Sequence, residues 1–388
     1  MKDINPRASA FEDYRNGVRD LCHRFNSQYW QGVEERAAYP EEFVKALSEA
    51  GWLAALIPPE YGGGGLGVTE ASVILEEINR SGANSGACHA QMYIMGTLLR
   101  HGSGEQKRRY LPRIASGELR LQSFAVTEPT SGTDTTRIRT FAERRGDRYV
   151  VNGQKVWISR VQHSDLMLLL ARTTPLAEVA KKTEGLSVFL VDLRAAASGM
   201  TLRPIRNMVN HETNEVFFDN FEIPAENRIG EEGRGFRYIL DGMNAERILI
   251  AAECVGDGYW FIDKARQYAA ERVVFDRPIG QNQGIQFPIA RAYANLRAAD
   301  LMRYEAAGLF DDGKPCGGEA NLAKLLAAEA SWEAANACLQ THGGFGFAAE
   351  YDVERKFRET RLYQVAPVST NLILAYIGEH VLGMPRSF

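Results

Sequence analysis

The hydrophobic period of this chain switches twice, and that switch limits the folds open to it. From about Pro6 to Ser116 apolar residues recur three and four apart, as on one face of a helix. "EEFVKALSEAGW" and "EASVILEEINRSG" show this spacing, and each run stops at a glycine, the usual close of a helix. From about Glu118 to Gly230 short β-branched and aromatic runs take over: "LMLLLAR" and "GLSVFLVDL" are apolar stretches of strand length, and "NEVFFDNFEI" alternates. Asn152-Gly153 inside "RYVVNGQKVWIS" reads as the turn of a hairpin. From about Gly235 helical spacing returns in "ERILIAAECVGDGYWFIDKARQYAAERVVF" and "EANLAKLLAAEASWEAANACLQTHGG". The expected architecture is α+β and multidomain. An N-terminal all-α domain (1–117) comes first, then a middle β-barrel or sandwich domain (118–232), then a C-terminal four-helix bundle (233–388).

Composition narrows the function classes. With 388 residues each domain can bury a core of its own. The formal net charge of −4 provides no basic field to draw nucleic acid or an anionic membrane. Cys22, Cys88, Cys254, Cys316 and Cys338 are scattered and lack paired spacing, so reduced thiols and no metal site are expected. The N-terminus is polar, with no visible secretory signal, and no apolar run approaches the ~20 residues of a membrane span. A cytoplasmic protein is the expectation. Glycine-rich Tyr61–Gly67 is not a phosphate loop, because no Lys-Ser/Thr pair follows it.

The densest polar stretch is Thr127-Glu128-Pro129-Thr130-Ser131-Gly132-Thr133-Asp134, with four hydroxyls and two carboxylates. At the mouth of a β domain such an array suits a planar ligand with a polar edge. Trp157-Ile158-Ser159 closes a strand about thirty residues on. A Trp there is core or covers the face of a flat ring, and the pattern leaves both readings open.

Four segments taken together resemble one family. "AVTEPTSGTD", "NGQKVWIS", "ERVVFDRPIGQNQGIQF" and "CLQTHGGFGF", in this order, are similar to the signatures of the acyl-CoA dehydrogenases. These flavoproteins introduce a double bond between the α and β carbons of an acyl-CoA. The resemblance covers nearly the whole chain and implies FAD as cofactor. Phe124, Val126 and Thr127 would line the isoalloxazine. Gly132 and Thr133 would contact the pyrophosphate, with Thr133 also on the substrate side. Trp157 would flank the ring, and Ser159 would reach toward N5. Arg272, Phe275 and Gln283 would come from a neighbouring subunit to the pyrophosphate and adenine; Gln340 and Gly344 would close the adenine end; Ser369 and Asn371 would sit near the adenosine. A homotetramer and an electron-transferring flavoprotein as acceptor are implied with them.

The reaction also needs a base for the α proton. In many members it is a Glu in the loop before the last helix. Here that position is Pro367, which cannot take a proton and has no N–H to offer the thioester carbonyl; Val368 is the nearest replacement donor. Glu246 falls on the apolar stripe of Ile239, Met243 and Ile250. Other members carry their base immediately before an Arg on this helix, as in Glu246-Arg247 here. The resemblance therefore implies Glu246 as base, with Arg247 supporting the pantetheine or orienting Glu246. An apolar pocket should raise its pKa. By the same resemblance Gly86–Gly102 lines the acyl tail, with Gln91, Met92 and Met95 narrowing it and His89 structural. Arg160 and His163 could sense a polar acyl group or be surface residues. A short or branched acyl-CoA is expected. An acyl-CoA lyase or desulfinase, an inactive flavin-binding relative and an oxidase are the competing readings on the same scaffold.

Overall fold

The structure is a computed structural model that describes residues 4, 7, 9–195 and 198–387. Residues 1–3, part of the polar N-terminus, lie outside them. An N-terminal helical part, a middle β-sheet part and a C-terminal helical part follow one another along the chain. By contacts the chain forms two compact units. One comprises residues 37–66 and 86–243; the other comprises 1–36, 67–85 and 244–388.

The first unit holds the sheet. Its strands are β1 (Leu121–Ala125), β2 (Phe141–Arg145), β3 (Arg148–Ser159), β4 (Leu166–Arg172), β5 (Leu186–Asp192), β6 (Met200–Pro204), β7 (Thr213–Pro224) and β8 (Arg228–Ile229). They pair in the order β6-β7-β3-β2-β4-β5-β8, with β1 added parallel to β4. The sheet does not close into a barrel. Strand β6 forms one edge and is largely exposed, so the expected barrel is corrected to an open sheet. Strand β4 is buried at every position, which is why its sequence is a continuous apolar run rather than an alternating one. Each of its leucines contributes about 1.5–3 kcal/mol by leaving water. Leu166, Leu168 and Leu170 join a core with Ile94, Met95 and Leu98 of the helix Gly86–His101, and Met167 and Leu169 face a second core with Phe189 and Phe218.

The hairpin expected at Asn152-Gly153 is not there. Strand β3 runs through both residues, and the turn is Gly146-Asp147, since Arg145 pairs with Arg148. A shift in the β3–β7 register falls at Asn152 instead. A Cβ on Gly153 would lie 2.6 Å from the Cα of Thr140. The glycine is there for close backbone approach, not for a turn.

The second unit is helical. Its long members are Gly317–His342, Gln283–Asp311 and the part of Gly235–Glu271 from residue 244 on, joined by Val353–Leu362, Val68–Arg80 and Glu12–Cys22. Its interior carries charge in closed sets. Arg15 and Arg303, both 0% exposed, share Glu76. Lys356 meets Asp257 and Glu359. Pairing of this kind is what makes buried charge tolerable. The hairpin Val273–Val274/Arg277–Pro278 carries Phe275 and Asp276 at its tip, both with positive φ. Among the described residues no helix is long and apolar enough to cross a membrane. The five cysteines are buried and unbridged.

Candidate functional site

In the sheet unit the polar loop is held from beneath by its own glutamate. Glu128 is 4% exposed. It accepts hydrogen bonds from the backbone N–H of Arg139 (2.6 Å) and Thr140 (2.9 Å) and from Lys155 Nζ (2.9 Å). Burial alone would raise its pKa. The Lys155 ammonium and the N–H donors outweigh burial, so the carboxyl titrates below its usual range. Lys155 is wholly buried, which pushes its pKa down to about 8 against the pull of Glu128. Its ammonium also donates to Val126 O at 2.9 Å. Arg172 fixes the far side of the loop by donating to the carbonyls of Thr136 (2.5 Å) and Ile138 (3.2 Å). Gly132 and Thr133 are left exposed at the crest. A Cβ at Gly132 would meet nothing within 4 Å.

Strand β3 delivers the next residues. The N–H of Val156 donates to Thr127 O at 2.9 Å, which ties the loop to the strand end. Between Lys155 and Ile158 the register with β7 shifts. Such a bulge re-aims a side chain. Trp157 accordingly has φ 62° and is 58% exposed, while Val156 and Ile158 on either side are buried. The structure thus places Val126 and Thr127 beside Lys155 and Val156, next to Trp157, with Phe124 on β1, its ring centroid 6.2 Å from Tyr93.

The Ser159 hydroxyl sits in a network that the sequence reading missed. Asn210 Nδ2 donates to Ser159 Oγ at 2.7 Å and to Thr213 Oγ1 at 3.1 Å. Thr213 Oγ1 donates to the Asn210 carbonyl at 2.7 Å. Asn210 Oδ1 accepts from Arg160 Nη2 at 3.2 Å, and Arg160 pairs with Glu212 at 3.2 Å. The network links residues about fifty apart, with no local pattern to reveal it. His163, the other residue read as sensing a polar acyl group or lying at the surface, stacks on Tyr39 at 4.2 Å. Burial lowers its pKa. Arg160 and His163 are therefore both engaged within the sheet unit.

Met92 and Met95 are fully buried, Gln91 is 1% exposed, and Gln91 Nε2 donates to Leu53 O at 3.5 Å. His89 is 7% exposed, its ring centroid 4.9 Å from Tyr93.

In the helical unit Glu246 is 4% exposed, flanked by buried Ala245 and Ile248–Ile250. Arg247 donates to Asn244 Oδ1 at 3.1 Å. Burial lowers the Arg247 pKa, and the Glu246 charge opposes that shift. Lys324, 1% exposed, is also lowered by burial, with the Cys254 and Glu246 charges pulling the other way. Its Nζ donates to Val368 O at 2.8 Å, anchoring the loop that carries exposed Pro367. Ser369 caps the helix Thr370–Tyr376, and Asn371 is exposed on its first turn. Arg272 lies over the ring of Phe345 at 5.6 Å, beside Gly344 and exposed Gln340. A Cβ at Gly344 would meet nothing within 4 Å. Phe275, 93% exposed, and Gln283, at the start of helix Gln283–Asp311, stand on the same outward hairpin and helix start. No group of three or more potential metal ligands occurs among the described residues.

Comparisons with known proteins agree over the whole length. The acyl-CoA dehydrogenase N-terminal, middle and C-terminal domain families match residues 9–118, 123–221 and 233–382. An acyl-CoA dehydrogenase of Mycobacterium bovis (FadE12) is 34% identical, over 96% of each chain. A glutaryl-coenzyme A dehydrogenase solved with glutaryl-CoA is 30% identical, with a TM-score of 0.90 over 100% of this chain and 98% of that one. A glutaryl-CoA dehydrogenase from Mycobacterium smegmatis, solved with FADH2, is 25% identical at a TM-score of 0.88, over 97% and 95% of the two chains.

Proposed function

The chain belongs to the acyl-CoA dehydrogenase family, whose members dehydrogenate acyl-CoA thioesters with a flavin, and from that premise we propose that Glu246 is its catalytic base. The chain is an oxidoreductase, and its cofactor is FAD. The residues of the sheet unit fit that group. Trp157 offers an exposed aromatic face, Ser159 a hydroxyl, and Thr127 and the open crest at Gly132 polar and backbone donors for a ring edge and a phosphate. FAD, when bound, takes up the hydride that leaves the β carbon.

Glu246 removes the α proton of the acyl group. The observation that carries this assignment is its 4% exposure on an apolar helical face. A carboxylate kept from water is a stronger base than one in solvent. Arg247 and Lys324 stand close enough for the Glu246 charge to act on them. Pro367 occupies the position of the alternative base and cannot serve. Phe124, Val126 and Thr127 line the isoalloxazine, and Thr133 and Arg247 contact the CoA moiety. Arg272, Phe275, Gln283, Gln340, Gly344, Ser369 and Asn371 hold the pyrophosphate and adenosine across subunits of a homotetramer. Arg272 suits phosphate by charge and fork geometry. The acyl group is short or branched, with Gln91, Met92 and Met95 on the helix that lines its tail. Electrons leave to an electron-transferring flavoprotein.

The test is anaerobic mixing with a panel of short, branched and long acyl-CoAs, read as bleaching of the flavin band. The expected result is fast bleaching with short or branched chains and a 10²- to 10⁴-fold slower rate for Glu246→Gln, the usual worth of a positioned base. Equal rates in parent and variant would remove Glu246 from the role. Failure of every acyl-CoA to bleach the flavin would favour a non-oxidising relative.

A further inference from the structure

We infer that Asn210 is a positioning residue that makes the Ser159 hydroxyl a hydrogen-bond donor to the flavin ring. The inference rests on the FAD reading above and follows from counting protons. The side-chain amide of Asn210 has two N–H groups, and they go to Ser159 Oγ (2.7 Å) and Thr213 Oγ1 (3.1 Å). Its oxygen accepts from Arg160 Nη2 at 3.2 Å. A guanidinium donates only, so the amide cannot be turned end for end. Glu212 holds Arg160 in turn, through an ion pair of 3.2 Å and through its carbonyl, which accepts the Arg160 N–H at 2.9 Å.

Thr213 has a single hydroxyl proton, and the Asn210 carbonyl takes it at 2.7 Å. None remains for Ser159. The contact between the two hydroxyls is 3.3 Å, longer than the usual 2.5–3.0 Å for O–H···O. Ser159 therefore receives a hydrogen bond from Asn210 and keeps its own proton for a better acceptor, such as an unprotonated ring nitrogen. The backbone matches the task. Asn210 has φ 60°, a conformation that Asn and Asp tolerate better than other side chains.

Asn210→Asp is the sharpest variant. It keeps shape, backbone tolerance and the contact to Arg160, but replaces the donor to Ser159 by an acceptor. The Ser159 proton would then turn to the carboxylate. The readouts are the visible spectrum and the reduction potential of the bound flavin, with the anaerobic reduction rate as a third. Asn210→Asp is expected to move the potential downward, in the direction of Ser159→Ala, and to slow reduction on the order of 10- to 100-fold, the range of one hydrogen bond to a developing charge. Adding Ser159→Ala to it should change nothing further. Asn210→Gly, which removes the donor and relaxes the backbone, should reproduce the shift.

If Ser159→Ala shifts spectrum and potential while both Asn210 variants keep the parent's values, the inference falls and the FAD reading stands. Loss of FAD from both Asn210 variants, with retention in Ser159→Ala, would also overturn it, since orienting one hydroxyl does not govern cofactor retention. A parent protein that takes up no FAD would overturn the reading beneath it.

Discussion

Glu128 in the sheet unit and Glu246 in the helical unit are each 4% exposed, yet their surroundings differ. Glu128 is clasped by Lys155 and two backbone N–H groups, one of them 2.6 Å away. Every bond it makes closes the chain on itself, between the start of the polar loop and its end. Glu246 stands in a helix between buried alanine and aliphatic residues, with the cations Arg247 and Lys324 in electrostatic reach. The two share burial and differ in what surrounds it.

The largest expected effect tests that contrast directly. Glu246→Gln should cost 10²- to 10⁴-fold in flavin reduction while its thermal midpoint stays near the parent's. A collapse of the midpoint would make Glu246 a pin as well. Lys155→Ala should do the reverse. It strands a buried carboxylate, a loss of about 3–5 kcal/mol, visible in denaturant melts of the protein without substrate. An unchanged melt would mean that the Glu128 clasp carries no weight. Acid should sharpen the same point. Because the folded pKa of Glu128 is depressed, its contribution is complete above the ordinary carboxylate value of about 4.3 and disappears as the pH falls through the lower, folded value. The stability gap between parent and Glu128→Gln should thus narrow as the pH falls from about 5 to about 3. A constant gap would contradict the assignment.

Smaller effects separate frame from face. Gly153→Ala places a Cβ 2.6 Å from the Thr140 backbone and should cost about 1–3 kcal/mol by overpacking. Trp157→Ala, at an exposed position, should alter stability by no more than about 0.5 kcal/mol. It should weaken FAD binding roughly 2- to 10-fold, as expected from one lost aromatic contact and measured by cofactor titration. A large melting change at Trp157 would place it in the core rather than on a ring.

The sequence carried the sheet and the helices well where a single physical cause dominates. Strand β4 is buried on both faces, so its apolar run had one reading. Glu246 could be placed on an apolar stripe because helical spacing is regular. Asn152-Gly153 was misread because glycine answers two needs with one letter, a tight turn and a close backbone approach, and only the position of Thr140 decides between them. The polar loop looked like an array aimed at a ligand, but its glutamate faces inward because Lys155 lies beneath it, 27 residues away. The Asn210 network had no signature at all, since Ser159 and Asn210 are 51 residues apart and meet only through the pairing of β3 with β7.

The irregular step between Lys155 and Ile158 also sets how this strand can change over evolution. Deleting one residue there would restore even pairing between Val216 and Asn214 and remove the extra residue that lets the indole stand out to solvent. Substitutions at position 157 leave the spacing intact, whereas a change in length at that point would take away the turned-out position itself.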